Sequence, residues 1–334
     1  MPVYNCELYV QEAIDSILNQ SYVDFEFIII DDASTDSTVS IIKLHNDSRI
    51  QLIEKSINSG YTNSLNQGLK LATGKYIARM DSDDISFPQR FKKQIAFMEA
   101  NLDAVLCGSC FNIIGSDVIK KLPENYEAIK LALLTSNCIA HPSVMMRKQI
   151  LDKLDVVYNV SKEPAEDYDL WVRLLSFGKL HNLQEALLKY RVHSTQVSQK
   201  RTEEQKKSVI ETKFELLNLL KIKWDKQEYE VLEKIFKANT IIPFSKIQTF
   251  KGIQKKLLIA NNNLYFFEGI GFKQYLSELE YIVLKKCFYR QKKHSPLMYL
   301  EYLKAKFQCN VKLSIEQEIK LLIKSMLFRK VTQM

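Results

Sequence analysis

Two short apolar runs near the front of this chain each end in aspartates: "FEFIIIDD" (25–32) and "GKYIARMDSDD" (74–84). Such runs, bounded by turn signals, read as buried strands. Between them lie "STDSTVSIIKLHN" (34–46), which opens with capping-type Ser, Thr and Asp, and "YTNSLNQGLKLA" (61–72), which follows an "NSG" turn. Both carry helical spacing. A further strand, "RIQLIEK" (49–55), precedes that turn, and "FPQRFKKQIAFMEAN" (87–101) reads as a helix with Pro88 near its start. Strands alternating with helices specify an α/β fold, a mainly parallel central sheet flanked by helices. Ligands of such sheets bind beyond the carboxyl ends of the strands. Asp31 and Asp32 lie at one such end, and Asp81, Asp83 and Asp84 at another.

Carboxylates gathered at one edge repel each other unless a cation or a hydrogen-bond donor stands between them. Acids at i and i+2 just past a strand suit a hard divalent ion, Mn²⁺ or Mg²⁺, which fills its remaining positions with substrate phosphates. The plainer reading makes the same acids a favourable cap for the helix that starts near Pro88. No G-x-G-x-x-G follows an early strand, and "ATGKY" (72–76) lacks the Ser or Thr of a P-loop, so neither dinucleotide nor P-loop nucleotide binding fits. A sugar nucleotidyltransferase would need a Gly- and Arg-rich phosphate loop near its start, which is missing.

The opening "MPVYNCELYV" reads as the end of a strand running into a loop and then a helix with Val10, Ala13, Ile14, Ile17 and Leu18 at helical spacing. Most of a first strand is absent in front of Pro2, and the expectation is that Met1 is internal to the natural chain.

In order and spacing, "PVYN" (2–5), "IDSILNQSYVDFEFIIIDDASTDST" (14–38), "NSGYTNSLNQGLKLATGKYIARMDSDDISFPQRF" (58–91), "HPSVMMRK" (141–148), "EDYDLWVRL" (166–174) and "YRVH" (190–193) resemble a family 2 glycosyltransferase of the GT-A fold over residues 1–195. The resemblance implies a nucleotide-sugar donor, UDP-linked before GDP- or dTDP-linked. Tyr4, beside Pro2, would lie against the base, and Asp32 would accept a hydrogen bond from it. Asp81, with Ser82 next to it, would contact the ribose. Asp83 would hold the metal, with Asp84 as an alternate ligand and His193 as a late metal or phosphate contact. Asp167 would be the catalytic base and Glu166 its neighbour. His141 and Arg147 could face the acceptor or be structural. The plainer readings make Asp167 a helix cap and His193 an ordinary histidine. The acceptor implied is a saccharide or a lipid-diphosphate-linked sugar, in bacterial cell-surface polysaccharide or lipopolysaccharide assembly. The rival is a non-catalytic carbohydrate- or membrane-binding relative, against which intact Asp32, Asp83 and Asp167 argue.

The charge is divided. Residues 1–200, read as the transferase domain, hold 21 Lys and Arg against 25 Asp and Glu, whereas residues 201–334 hold 26 against 14. The second region reads as a helical, basic accessory region ending in the amphipathic "IKLLIKSMLFRK" (319–330), suited to an anionic membrane surface rather than nucleic acid. No apolar run is long enough to span a bilayer. Glu7, Glu12 and Asp15 break the first apolar helix, unlike a secretory leader. Six scattered cysteines point to a reduced, cytoplasmic protein, peripheral on the inner membrane face. Cys107 and Cys110, in an apolar run read as strands around a turn, fit core cysteines better than a zinc or redox pair.

Overall fold

The computed structural model describes residues 1–193, 196, 202–237, 241–289, 296–309 and 313–327. The chain divides into two compact units, Met1–Lys213 and Phe214–Met334. The boundary falls inside one helix, Thr202–Asn218.

In the first unit, β1 (Pro2–Val3), β2 (Phe27–Asp31) and β3 (Ile50–Glu54) form a parallel sheet in that order. All five β2 residues are buried, as a continuous β-branched run must be when helices cover both faces. Helix α1 (Val10–Leu18) packs through Val10, Ala13, Ile14 and Ile17. The strand at the front of the chain is present as two residues, with Pro2 opposite Ile30 and Val3 opposite Asp31. Phe27–Ile29 have strand partners in β3, and on the other side the Met1 amino group donates to Ile28 O (2.8 Å). On that side a cavity of about 620 Å³ separates them from β4 (Tyr76–Ala78), lined by Ile28, Leu65, Tyr76, Ala78 and Ile95.

Helix α2 (Thr38–Lys43) is shorter than the periodicity predicts. The capping-type residues before it are spent on the loop after β1. Asn5 N–H donates to Ser34 Oγ (3.0 Å), Glu7 N–H to Asp36 Oδ2 (3.1 Å) and Cys6 N–H to Thr38 Oγ1 (2.8 Å). Side-chain bonds of this kind compete with helix formation, and here they lace down the segment that carries Tyr4.

Helix α3 (Tyr61–Leu71) leads into β4, which belongs to a second, mixed sheet with β5 (Ile85–Ser86), β6 (Ala104–Ile113), β7 (Ile119–Lys120), β8 (Met145–Arg147) and β9 (Lys179–Tyr190). Cys107 and Cys110 sit within the single strand β6, both buried, so no turn interrupts that run. Helix α4 (Arg90–Ala100) supports the second sheet through buried Gln94, whose amide donates to Cys107 O and Ser143 O at 2.7 Å each. Strand β9 runs parallel to β6 and antiparallel to β5, with Ile85 opposite Lys189. That register brings the residues after Tyr190 alongside those before Ile85. The segment "RVH" and the acids of "DSDD" are thereby neighbours although more than 100 residues separate them.

The second unit is helical among its described residues. Its helices include Lys226–Phe236, Ile247–Leu264, Gly269–Tyr289, Pro296–Cys309 and Ile315–Met326. Phe250, Ile253, Leu257, Phe267, Phe272 and Leu276 are among its buried apolar side chains. Capping boxes start two helices, Asp225 with Glu228 and Ser314 with Gln317. Phe328, Arg329 and Lys330 of the amphipathic terminal segment lie outside the described residues. No described helix is long and apolar enough to cross a membrane.

Candidate active site

The ladder of β4 ends at Ala78, and the next turn delivers the acids. Carboxylate oxygens of Asp81, Asp83 and Asp84 lie within 4.8 Å of one another. Asp81 is ion-paired with the buried Arg79 guanidinium. Asp83 Oδ2 lies 2.9 Å from His193 Nε2, and Asp84 Oδ1 accepts from Arg191 N–H at 2.8 Å. Arg191 also donates to Asp83 O at 2.7 Å and stacks over the Tyr9 ring at 4.7 Å, while Tyr9 packs on the His193 ring at 5.2 Å. Burial, then the charges of Asp81 and Asp83, pushes the Asp84 carboxyl well above the usual range. Its Oδ2 is buried with no protein partner. Three carboxylates, one of their oxygens orphaned, with an imidazole beside Asp83, fit a hard divalent cation. Ser82 lies against the Cys6 thiol.

At the neighbouring strand end, Asp32 is almost fully buried. Its Oδ1 accepts from Lys55 Nζ and from Ser59 N–H, both at 3.0 Å, and its Oδ2 from Gly60 N–H at 2.8 Å. Burial alone would raise this carboxyl, but the Ser59 N–H, the Lys55 ammonium and the Gly60 N–H outweigh it and hold it below the usual range. Asp31 has Oδ2 bonded to Ser34 N–H and Oδ1 buried without a protein partner. Tyr4 stands about half exposed (49%) beyond Pro2–Val3.

Glu166 and Asp167 open helix α7 (Glu166–Leu174), where the helix dipole favours negative charge. The N-cap is Ala165, so Asp167 is not the cap. Asp167 is half-buried and accepts from Asn137 Nδ2 and from Tyr168 N–H, each at 2.7 Å. Glu166 is buried, and its Oε2 accepts from the Tyr61 hydroxyl at 2.8 Å. Burial, then the Asp167 charge, pushes Glu166 up to about 8. Burial raises the Asp167 carboxyl as well, against the Tyr168 N–H and Asn137 bonds that favour its ionised form, and near neutral pH it is Glu166 that keeps a proton. Arg79 is within electrostatic reach of both clusters, favouring the ionised forms of Asp81 and Asp84 on one side and of Glu166 and Asp167 on the other.

Two sequence candidates are engaged in packing. His141 is buried, bonded through Nε2 to Tyr158 Oη (2.8 Å) and edge-on to the buried Trp171 at 5.6 Å. Burial, then the Arg79 charge, holds its pKa well below the ordinary value, so it is a neutral, packed imidazole. Arg147 pairs opposite Tyr76, at the end of β4 remote from Asp81, and its guanidinium donates to Ala104 O (3.2 Å), Met98 O (3.1 Å) and Tyr76 Oη (3.3 Å). It ties strands and helix α4 together and does not reach the acids. Lys55, Tyr61, Asn137, Arg191 and Tyr9 enter the site without having been singled out. Of these, Arg191 and Tyr61 carried a signal, their places inside "YRVH" and the stretch 58–91.

Carboxylates thus follow two strands, Asp32 after β2 and Asp81, Asp83 and Asp84 after β4, and a further pair opens α7. The family model described as "Glycosyl transferase family 2" matches residues 1–155. The putative glycosyltransferase EpsE of Bacillus subtilis is 42% identical over 202 residues, 58% of this chain and 72% of that protein. The UDP-Glc:alpha-D-GlcNAc-diphosphoundecaprenol beta-1,3-glucosyltransferase WfaP of Escherichia coli is 34% identical over 197 residues, 58% of this chain and 76% of that protein. The crystal structure of TarS 1–349 of S. aureus in complex with UDP-GlcNAc shares the fold at a TM-score of 0.57 and 19% identity, covering 98% of this chain and 90% of that one. The chain belongs to glycosyl transferase family 2.

Proposed function

We propose that this chain is an inverting, divalent-metal-dependent transferase of a hexosyl or N-acetylhexosaminyl group. It takes the sugar from a UDP-linked donor and passes it to a saccharide or lipid-diphosphate-linked acceptor during cell-surface polysaccharide assembly. One observation carries the reading: Asp81, Asp83 and Asp84 gather within 4.8 Å, while Asp167, apart from them, sits beside a Glu166 that holds its proton. Asp83, Asp84 and His193 would hold Mn²⁺ or Mg²⁺, which when bound neutralises charge on the diphosphate. Tyr4 and Asp32 would receive the base, and Asp81 with Ser82 the ribose. Asp167 removes the acceptor hydroxyl's proton as that oxygen attacks the anomeric carbon from the face opposite the diphosphate. The new C–O bond forms, and the anomeric bond to the diphosphate breaks with its electron pair leaving on the nucleoside diphosphate. The sugar passes through an oxocarbenium-like transition state. The UDP-linked donor and diphospholipid-linked acceptor in the name of the E. coli relative support this choice.

The test is a panel of UDP-Glc, UDP-GlcNAc, UDP-Gal and GDP-Man with Mn²⁺, read as release of the nucleoside diphosphate. Turnover of a UDP-linked donor that excess chelator abolishes is expected. Undiminished turnover in chelator, or preference for GDP-Man, overturns the reading.

The same reading places the second unit on an anionic membrane. Along Ile315–Met326 the apolar side chains of Ile315, Ile319, Ile323 and Met326 are exposed, at spacings that put them on one helical face. The chain is expected to float with phosphatidylglycerol vesicles in low salt and less so in high salt, because charges are screened within about 10 Å at 0.1 M. No flotation in low salt counts against it.

A further inference from the structure

Tyr61 opens α3 immediately after Gly60, and these two residues reach opposite ends of the site. Gly60, at φ +92, turns its N–H to Asp32 Oδ2 (2.8 Å). Tyr61 sends its hydroxyl to Glu166 Oε2 (2.8 Å), a residue 105 positions later. The turn is itself held: Lys55 Nζ donates to Asp32 Oδ1 (3.0 Å), Ser59 Oγ (2.7 Å) and Ser64 Oγ (2.8 Å). A left-handed backbone at position 60 suits glycine.

We propose that Tyr61 is the positioning residue of the carboxyl pair: its phenol fixes Glu166 so that Asp167 is the carboxylate offered to the acceptor, and the Gly60 bond ties that clamp to the Asp32 end of the donor pocket. The proposal rests on the reading of Asp167 as base.

The chemistry of the contact is directional. Burial, then the Glu166 charge, raises the Tyr61 phenol far above its ordinary value, so it stays a proton donor throughout the working pH range. A donor held on Oε2 lowers the Glu166 carboxyl against the larger effects of burial and of the Asp167 charge. The groups acting on Glu166 are Tyr61 from α3, Asp167 on its own helix and Arg79 beyond β4, with Glu163 and Tyr158 nearby. Without the phenol, Glu166 loses its fixed rotamer and its titration moves upward. Its carboxyl is then free to swing toward Asp167, where two acids share one proton less predictably.

The experiment compares Tyr61→Phe with the parent and with Glu166→Gln, alone and combined, in the full chain. UDP binding with Mn²⁺ by calorimetry reports that each variant is folded. Turnover of the donor selected from the panel gives kcat, KM and their pH profile. Tyr61→Phe is expected to leave UDP affinity and donor KM within about threefold and to lower kcat roughly 10- to 100-fold, as loss of a group acting only in the transition state does. The titration step that Glu166→Gln removes should move to higher pH, and Tyr61→Phe should cost nothing further in the Glu166→Gln background. Unchanged kcat and pH profile, or an equal loss with Glu166 already replaced, overturns the proposal. A matching rise in KM and weaker UDP binding would instead make Tyr61 a donor contact and overturn it too. If Asp167→Asn turns over normally, the base assignment itself fails, whatever Tyr61→Phe does.

Discussion

Asp167→Asn should keep UDP affinity within a few-fold of the parent while transfer falls by roughly 10²–10⁴, the usual worth of a positioned general base. The substitution is nearly isosteric, and the amide oxygen can still accept one of the two hydrogen bonds that reach Asp167, from Asn137 or from Tyr168 N–H. The loss should therefore fall on kcat rather than on folding or on donor binding. Glu166→Gln is the contrast, because Glu166 is already neutral near pH 7 and Gln reproduces that state. Its sign in stability follows from the raised carboxyl. The unfolded chain releases this proton near 4.5 and the folded chain keeps it to about 8, so the protein loses stability as pH climbs between those values. Glu166→Gln should flatten that slope in thermal melts, with kcat lowered far less than in Asp167→Asn. If Asp167→Asn loses UDP binding while Glu166→Gln loses only turnover, the two roles are exchanged.

The parts of the site that were legible in the sequence are those whose chemistry is written in one segment. "DSDD" and "EDYD" carry their acids side by side; the strand before "DSDD" fixes which sheet edge those acids occupy, and "EDYD" opens a helix. What could not be seen depends on register. Ile85 opposite Lys189 is what puts His193 on Asp83, and nothing in either segment specifies that pairing. Tyr61 reads as the first apolar residue of a helix, and only the fold discloses that its hydroxyl meets Glu166. His141 and Arg147 show the converse. Polar residues inside a family motif draw a catalytic reading, yet here one is buried against Tyr158 and Trp171 and the other binds carbonyl oxygens at the far end of β4. Helix α2 is shorter than its periodicity predicts for a related reason: Ser34 and Asp36 have the chemistry of caps but serve the Tyr4 loop instead.

Asp83→Ala should cost roughly 10²–10³ or more in turnover, on the scale of removing one preorganised charge-stabilising group. Asp83 is the best placed of the three acids to test. Asp84 is buried and bonded to Arg191 N–H, and Asp81 is committed to Arg79, so replacing either disturbs packing as well as charge. Asp83 is half-buried, its carbonyl keeps the Arg191 bond in any variant, and its carboxylate meets His193. Asp83→Asn divides the two roles of that carboxylate, since the amide oxygen can still accept from a neutral imidazole but no longer brings a negative charge. If charge is what matters, Asn and Ala should fail alike, and binding of Mn²⁺ in the presence of UDP, followed by the ion's paramagnetic signal, should weaken in both. If orienting His193 is what matters, Asn should recover most of the rate and bind Mn²⁺ as the parent does. Removing one of three crowded carboxylates also lessens the repulsion that helps hold up Asp84. The apo variant should therefore be no less stable than the parent, and the two should diverge in melting temperature only when Mn²⁺ and UDP are added, because only the parent then gains the full stabilisation of a ligand that binds the folded state.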